Sequence, residues 1–115
     1  MPGEIKKSVI CVLQVEGFHR WKDAPDDPRF SFLKFPHRHI FHIRMEFKVH
    51  HGDREIEIID KQAEVKSWLY RHYDRPCQFD GMSCEDIAEK LLTRFDAASC
   101  EVLEDGYGGA KVVRQ

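Results

Sequence analysis

The sequence predicts an α+β fold, an antiparallel sheet with two helices on one face, and three observations carry that expectation. Residues 8–16 and 37–49 are β-rich, and the second run alternates apolar with polar side chains. Residues 61–70 and 84–95 place apolar side chains at helical spacing, each after a capping residue. Residues 100–103 and 110–113 are short β-rich runs on either side of Gly106-Tyr107-Gly108-Gly109. Strand, strand, short strand, helix, helix, strand, strand is satisfied by a sheet whose apolar face is covered by both helices.

Residues 8–16 are largely apolar, which suits a strand buried on much of both faces. Continued in register, its odd residues Val9, Cys11, Leu13, Val15 and Gly17 lead to His19 on the same face. Residues 20–35 form a long connection with Pro25, Pro28 and the acids Asp23, Asp26 and Asp27. Long ordered loops in small domains are often functional, and this one leads straight into the next strand.

That strand begins Pro36-His37-Arg38-His39. Its odd positions are His37, His39, Phe41, Ile43, Met45, Phe47 and Val49, an apolar face that opens with two histidines. Side chains two apart project the same way, so His37 and His39 can offer their imidazoles to one point, as metal ligands do. Two half-exposed strand histidines would show the same spacing. His42 falls on the opposite, polar face with Arg44 and Glu46 and is read as solvated.

His50-His51-Gly52-Asp53 is expected to turn, and residues 54–59 to form a short strand with Ile56 and Ile58 on one face. Asp60 suits the N-cap of a first helix whose stripe is Val65, Trp68, Leu69 and His72. Residues 73–81, with Pro76 and Gly81, break it. Ser83-Cys84-Glu85-Asp86 has the form of a capping box and opens a second helix with Ile87, Ala88, Leu91 and Phe95 as its stripe.

Composition bounds the function. The 115 residues suffice for one core, so residues 1–115 are read as a single domain. With 42% hydrophobic and 33% charged residues the chain has the balance of a soluble globular protein. A net charge of −2 with interspersed signs provides no basic field, so a nucleic acid partner is not expected. No run has the length of a membrane span, so no membrane partner is expected, and the apolar run after the first residues is too short for a signal peptide. Cys11, Cys77, Cys84 and Cys100 form no C-x-x-C and are expected to be reduced in a cytoplasmic setting. Cys11 and Cys100 suit the core, while Cys77 and Cys84 lie in or near a loop and are candidates for reactivity.

Several motifs in order carry a resemblance. They are Phe18-His19 ending a strand, a long loop, His37-x-His39 opening the next, Ile58-Ile59-Asp60 before a helix, Ser83-Cys84-Glu85-x-x-Ala88 opening another, and Leu103-Glu104-Asp105 closing a strand. Together, over residues 9–113, they resemble the 6-pyruvoyl-tetrahydropterin and 6-carboxy-tetrahydropterin synthase family. The resemblance implies the tunnelling fold, in which sheets of several subunits join into an oligomeric barrel. It therefore implies a homo-oligomer, a hexamer where two such rings stack.

By the same resemblance, His19, His37 and His39 match three zinc ligands. Three neutral imidazoles leave the ion its double charge and a fourth position. Glu104 matches the glutamate that anchors the pterin ring, where a carboxylate can accept two parallel hydrogen bonds from an amino-pyrimidinone edge. An exposed strand-end glutamate is the plainer alternative. Ser83 matches a threonine that helps hold the base, and it also suits a simple N-cap. The family's usual loop cysteine is missing from residues 20–36, where Asp23, Asp26 or Asp27 can take its place or simply form a solvated turn. Its Asp-His pair between the helices is missing too, leaving His72, Asp74 and Cys77 in a shortened segment, of which His72 also fits the helix stripe. Two functions follow. One is a zinc-dependent enzyme acting on 7,8-dihydroneopterin triphosphate or a related pterin, its product feeding tetrahydropterin or deazapurine (queuosine-type) synthesis. The other is a non-catalytic tunnelling-fold protein that binds a pterin, purine or nucleotide-like ligand.

Overall fold

A computed structural model describes residues 3–115. The elements are β1 (Ser8–His19), a 3-10 turn (Ser31–Lys34), β2 (His37–Lys48), α1 (Ile58–Tyr73), β3 (Cys77–Asp80), α2 (Cys84–Phe95), β4 (Ser99–Glu104) and β5 (Gly108–Val113). The fold is α+β, with one five-stranded sheet in the order β3-β1-β2-β4-β5 and two helices.

β2 follows its alternation, whereas β1 is buried on one face only and not on both as its apolar run suggests, since Ile10 and Val12 are exposed. Cys11, Leu13 and Val15 of β1 and Phe41, Ile43, Met45 and Phe47 of β2 are buried on one face, and both helices cover that face. α1 lies against β1 and β3, and α2 against β4 and β5. Val65, Trp68 and Leu69 of α1 join Ile87, Ala88, Leu91 and Leu92 of α2 in a single apolar cluster with the sheet. Cys11 and Cys100 belong to that cluster, as their strand positions predict. Ser83 caps α2 in a capping box: its Oγ accepts from Asp86 N at 3.1 Å, and Asp86 Oδ2 accepts from Ser83 N at 3.2 Å.

Three further expectations are corrected. Residues 54–59 form no strand, because Arg54 has a φ of 54° and α1 already begins at Ile58. Glu57, rather than Asp60, caps α1: its Oε1 accepts from Ile59 N at 2.7 Å, and Asp60 lies within the first turn. Residues 73–81 are not only a break, since they hold β3, which pairs parallel with β1 and makes the sheet mixed. The pairing skips one residue beside His19, a shift that re-aims side chains where the strand ends.

Four corners carry an aspartate at positive φ: Asp74 at 72°, Asp80 at 51°, Asp96 at 52° and Asp105 at 55°. Each closes an element, a place more often given to glycine. Gly17 meets a different constraint, because a Cβ there would lie 2.9 Å from the Phe79 ring and 3.1 Å from the Phe41 ring. Its lack of a side chain lets those two buried rings pack under the end of the sheet.

Candidate metal centre

Strand register assembles the site. In the β1–β2 pair His19 stands opposite His37, and Gly17 opposite His39, so three imidazoles gather where the two strands end. Glu104 stands opposite Phe41 at the end of β4, on the same face as His39. One ligand atom from each of His19, His37, His39 and Glu104 lies within 4.8 Å of the others. Phe41 forms the floor, its ring edge-on to those of His19 and His39 at 5.2 and 5.7 Å.

The hydrogen bonds fix which nitrogen faces inward. His19 Nδ1 lies 3.0 Å from the Met82 carbonyl, and His37 Nδ1 lies 3.0 Å from the Phe35 carbonyl. A carbonyl only accepts, so both Nδ1 atoms carry the hydrogen and both Nε2 atoms present a lone pair when the ring is neutral. His39 Nδ1 lies 2.6 Å from Asp105 Oδ2, a carboxylate that fixes the same tautomer. Its Nε2 is 3.2 Å from Glu104 Oε2, and His19 Nε2 is 2.6 Å from that oxygen.

With neutral rings, a carboxylate oxygen therefore faces two nitrogen lone pairs, with the lone pair of His37 nearby. Neutral imidazoles of this tautomer leave no hydrogen for these contacts, whereas a cation at their centre would satisfy all of them. Tetrahedral zinc with bonds of about 2.0–2.1 Å separates its ligands by about 3.3 Å, a spacing inside the observed range, from 2.6 Å between His19 Nε2 and Glu104 Oε2 to at most 4.8 Å across the cluster. The donor set thus fits a metal ion: three imidazoles supported by outer hydrogen bonds, as metal-bound histidines typically are. Burial lowers the pKa of His37, favouring the neutral form that binds metal.

Beside the cluster a cavity of about 590 Å³ is lined by Trp21 and Leu33 of the long connection, by Ser83, Cys84 and Glu85 at the start of α2, and by Glu104. Its size suits a small organic molecule. The connection does reach the histidine end of the sheet, where Arg20 N donates to the Asp80 carbonyl of β3 at 2.8 Å, and a 2.7 Å bond from Trp21 N to the Leu33 carbonyl closes the loop on itself.

The structure brings together His19, His37, His39, Glu104 and Ser83, the first four as the cluster and the last on the cavity wall. Asp23, Asp26, Asp27 and His72 are not among the cavity-lining residues. Asp27 instead holds Arg29, with Oδ2 at 2.9 Å from the guanidinium, and that bond lowers its pKa. His72 is exposed on α1 rather than in the buried stripe, and it stacks on Trp68 with ring centroids 4.4 Å apart. His42 lies on the other face of β2, half-buried beside Gly106.

Cys77 and Cys84 are buried, contrary to the expectation of reactive loop thiols. Desolvation by burial raises the pKa of Cys77 to about 11 and that of Cys84 to about 12. Since the thiolate is the nucleophile, neither is poised to react near neutral pH. We expect iodoacetamide at pH 7.5 to leave both unlabelled in the native protein and to label them once the chain is unfolded, as read by mass spectrometry of the intact protein. Rapid labelling of native Cys84 would contradict this burial.

The sequence pattern gives no sign of the roles of Asp105, Trp21 and the Met82 and Phe35 carbonyls. Asp105-Gly106 after a strand is a recognisable turn signal, but nothing in the one-dimensional pattern says that its carboxylate reaches back to His39. No protein-family model matches the chain, and no curated protein matches it either.

Proposed function

We propose that the chain is a zinc-dependent enzyme of the 6-pyruvoyl/6-carboxy-tetrahydropterin synthase type, acting on the side chain of 7,8-dihydroneopterin triphosphate or a related pterin. The observation that carries this reading is the convergence of three Nε2 lone pairs and the Glu104 carboxylate beside a cavity of small-molecule size. Zinc, when bound, supplies a Lewis acid that polarises and acidifies a ligand hydroxyl. The chain's own residues do the rest. His19, His37 and His39 hold the ion. Glu104, whose side chain is 33% accessible, can turn from the histidines to accept two hydrogen bonds from an amino-pyrimidinone edge. Trp21 and Leu33 provide apolar surface for a flat ring, and Ser83, Cys84 and Glu85 at the start of α2 also line the cavity.

The tunnelling fold and a homo-oligomeric barrel, a hexamer by resemblance, form part of the same proposal. Among the described residues the sheet ends at β3 on one side and at β5 on the other, both open edges of a kind that pairing between subunits would close. Ile10 and Val12 are exposed on the sheet face away from the helices, apolar surface that an assembly would cover.

One observation favours the binding module as a second reading: Asp23, Asp26, Asp27 and His72 are outside the cavity lining, and both nearby thiols are buried. A single experiment separates the two. The zinc-loaded protein is incubated with 7,8-dihydroneopterin triphosphate, and the pterins are resolved by chromatography. A product with an altered side chain and intact ring supports the enzyme. Saturable binding without turnover selects the module. Absence of both overturns the pterin assignment.

A further inference from the structure

Glu104 and Asp105 are neighbours in the chain, yet both reach His39, one at each ring nitrogen. Glu104 Oε2 lies 3.2 Å from Nε2 and Asp105 Oδ2 lies 2.6 Å from Nδ1. Successive residues of a strand project to opposite faces, so a continuing β4 would carry Asp105 away from the histidines. Its φ of 55° prevents that by turning the chain out of the strand.

The turn also fixes the carboxylate. Asp105 N donates to the Ile40 carbonyl at 2.8 Å, and Asp105 Oδ1 accepts from Ile40 N at 2.8 Å. The side chain thus takes the place of the next backbone acceptor in the ladder with β2. With Oδ1 held there, Oδ2 is left at His39 Nδ1. His19 and His37 use backbone carbonyls at Nδ1, so among the three histidines only His39 has a side-chain partner at that nitrogen.

We propose that Asp105 is a positioning residue of the metal centre, orienting His39 and strengthening its Nε2 as a ligand through a carboxylate–histidine–metal relay. The inference rests on the metal-binding reading of His19, His37 and His39. A negatively charged partner at Nδ1 makes the imidazole a better donor than a neutral carbonyl does, so His39 would contribute disproportionately to affinity. Asp105 is neither among the cavity-lining residues nor in the four-residue cluster, so it acts only through His39.

Two substitutions separate this role from that of a turn residue. Asp105→Asn keeps a residue that tolerates positive φ but replaces the charged acceptor. Asp105→Gly suits the positive φ best and removes the side chain altogether. Affinity for Zn²⁺ is measured by competition with a chromophoric chelator, and Co²⁺ is used as a spectroscopic probe of the site. Both variants are expected to saturate at about one ion per chain. Their affinity should be about 10–100-fold weaker, the usual consequence of losing such a partner, with an altered Co²⁺ visible spectrum. In a His39→Ala background, Asp105→Gly should weaken binding no further.

If Asp105→Gly binds within about twofold of the wild type with an unchanged spectrum, Asp105 is only a turn residue and the proposal falls, since this is far short of the loss expected for a lost partner. Additive losses in the His39→Ala background would also overturn it. A wild-type chain that takes up neither ion overturns the metal reading together with this one, whereas equal binding by wild type and variant overturns this one alone.

Discussion

His37→Ala is expected to strip the protein of bound metal while leaving it folded. His37 is the member of the cluster best suited to the test, because it is only half-buried and its outer partner is a carbonyl two residues away. His19, by contrast, is buried between the Met82 carbonyl and Glu104, and its removal would disturb packing as well. Losing one of three imidazoles should weaken binding beyond the about 100-fold that removing an outer partner can cost. The measurement is metal content per chain by elemental analysis after dialysis, beside far-ultraviolet circular dichroism. Unchanged metal with unchanged spectra would remove His37 from the site.

The same site gives acid sensitivity a direction. Burial lowers the pKa of His37, so the folded chain takes up that proton less readily than the unfolded chain. Stability from this group is present above the ordinary histidine value of about 6.5 and declines as the pH falls below it. Protons also compete with the ion for every imidazole. Metal should therefore be released in the acid range, before Asp105 titrates, since the bond from His39 holds that carboxyl below its usual value.

Phe41→Ala is the second large effect. Phe41 is fully buried, and its ring meets those of His19, His39 and Phe79 at centroid distances of 5.2, 5.7 and 5.1 Å. Truncating a buried phenylalanine costs about 3–5 kcal/mol through lost burial and the cavity left behind. Against a typical total of about 5–15 kcal/mol, that is a large fraction. Urea denaturation should show a lower midpoint with an unchanged slope. Metal affinity should fall as well, because the ring is the surface against which two ligands are held. A loss below about 1 kcal/mol would mean that the site collapses around the truncated side chain far better than such packing allows.

The parts of this structure legible in the sequence are those that follow a period. Counting by two along β1 and β2 placed His19, His37 and His39 at one end of one face, and register then set His19 directly opposite His37. The same counting misled at residues 54–59. Glu55, Ile56, Glu57 and Ile58 alternate, but four residues are too few to distinguish a strand from the approach to a helix, and Glu57 bonded to Ile59 N decides for the helix. β3 was hidden for a related reason, with only Cys77 and Phe79 facing inward after a proline. Its existence depends on β1 as a parallel partner, which no local pattern reveals. The sequence shows Asp105 only as part of the Leu103-Glu104-Asp105 motif, because the contact that gives it a role spans 66 positions of chain.

The four aspartate corners have a consequence for how the chain is fastened. A glycine would bend the backbone and do nothing more, but three of these residues also grip a neighbouring segment. Asp80 takes Arg20 just beyond β1 at 3.1 Å, Asp96 takes Arg114 just beyond β5 at 3.5 Å, and Asp105 takes His39 at the start of β2. Bend and stitch are therefore carried by one side chain, at seams where separate lengths of chain abut. The two arginine stitches are exposed and ionic, so salt should slacken them first, loosening the seam beside β3 and the one at the carboxyl-terminal end. The seam at His39 is tied in addition through the Ile40 backbone, and it should hold longest.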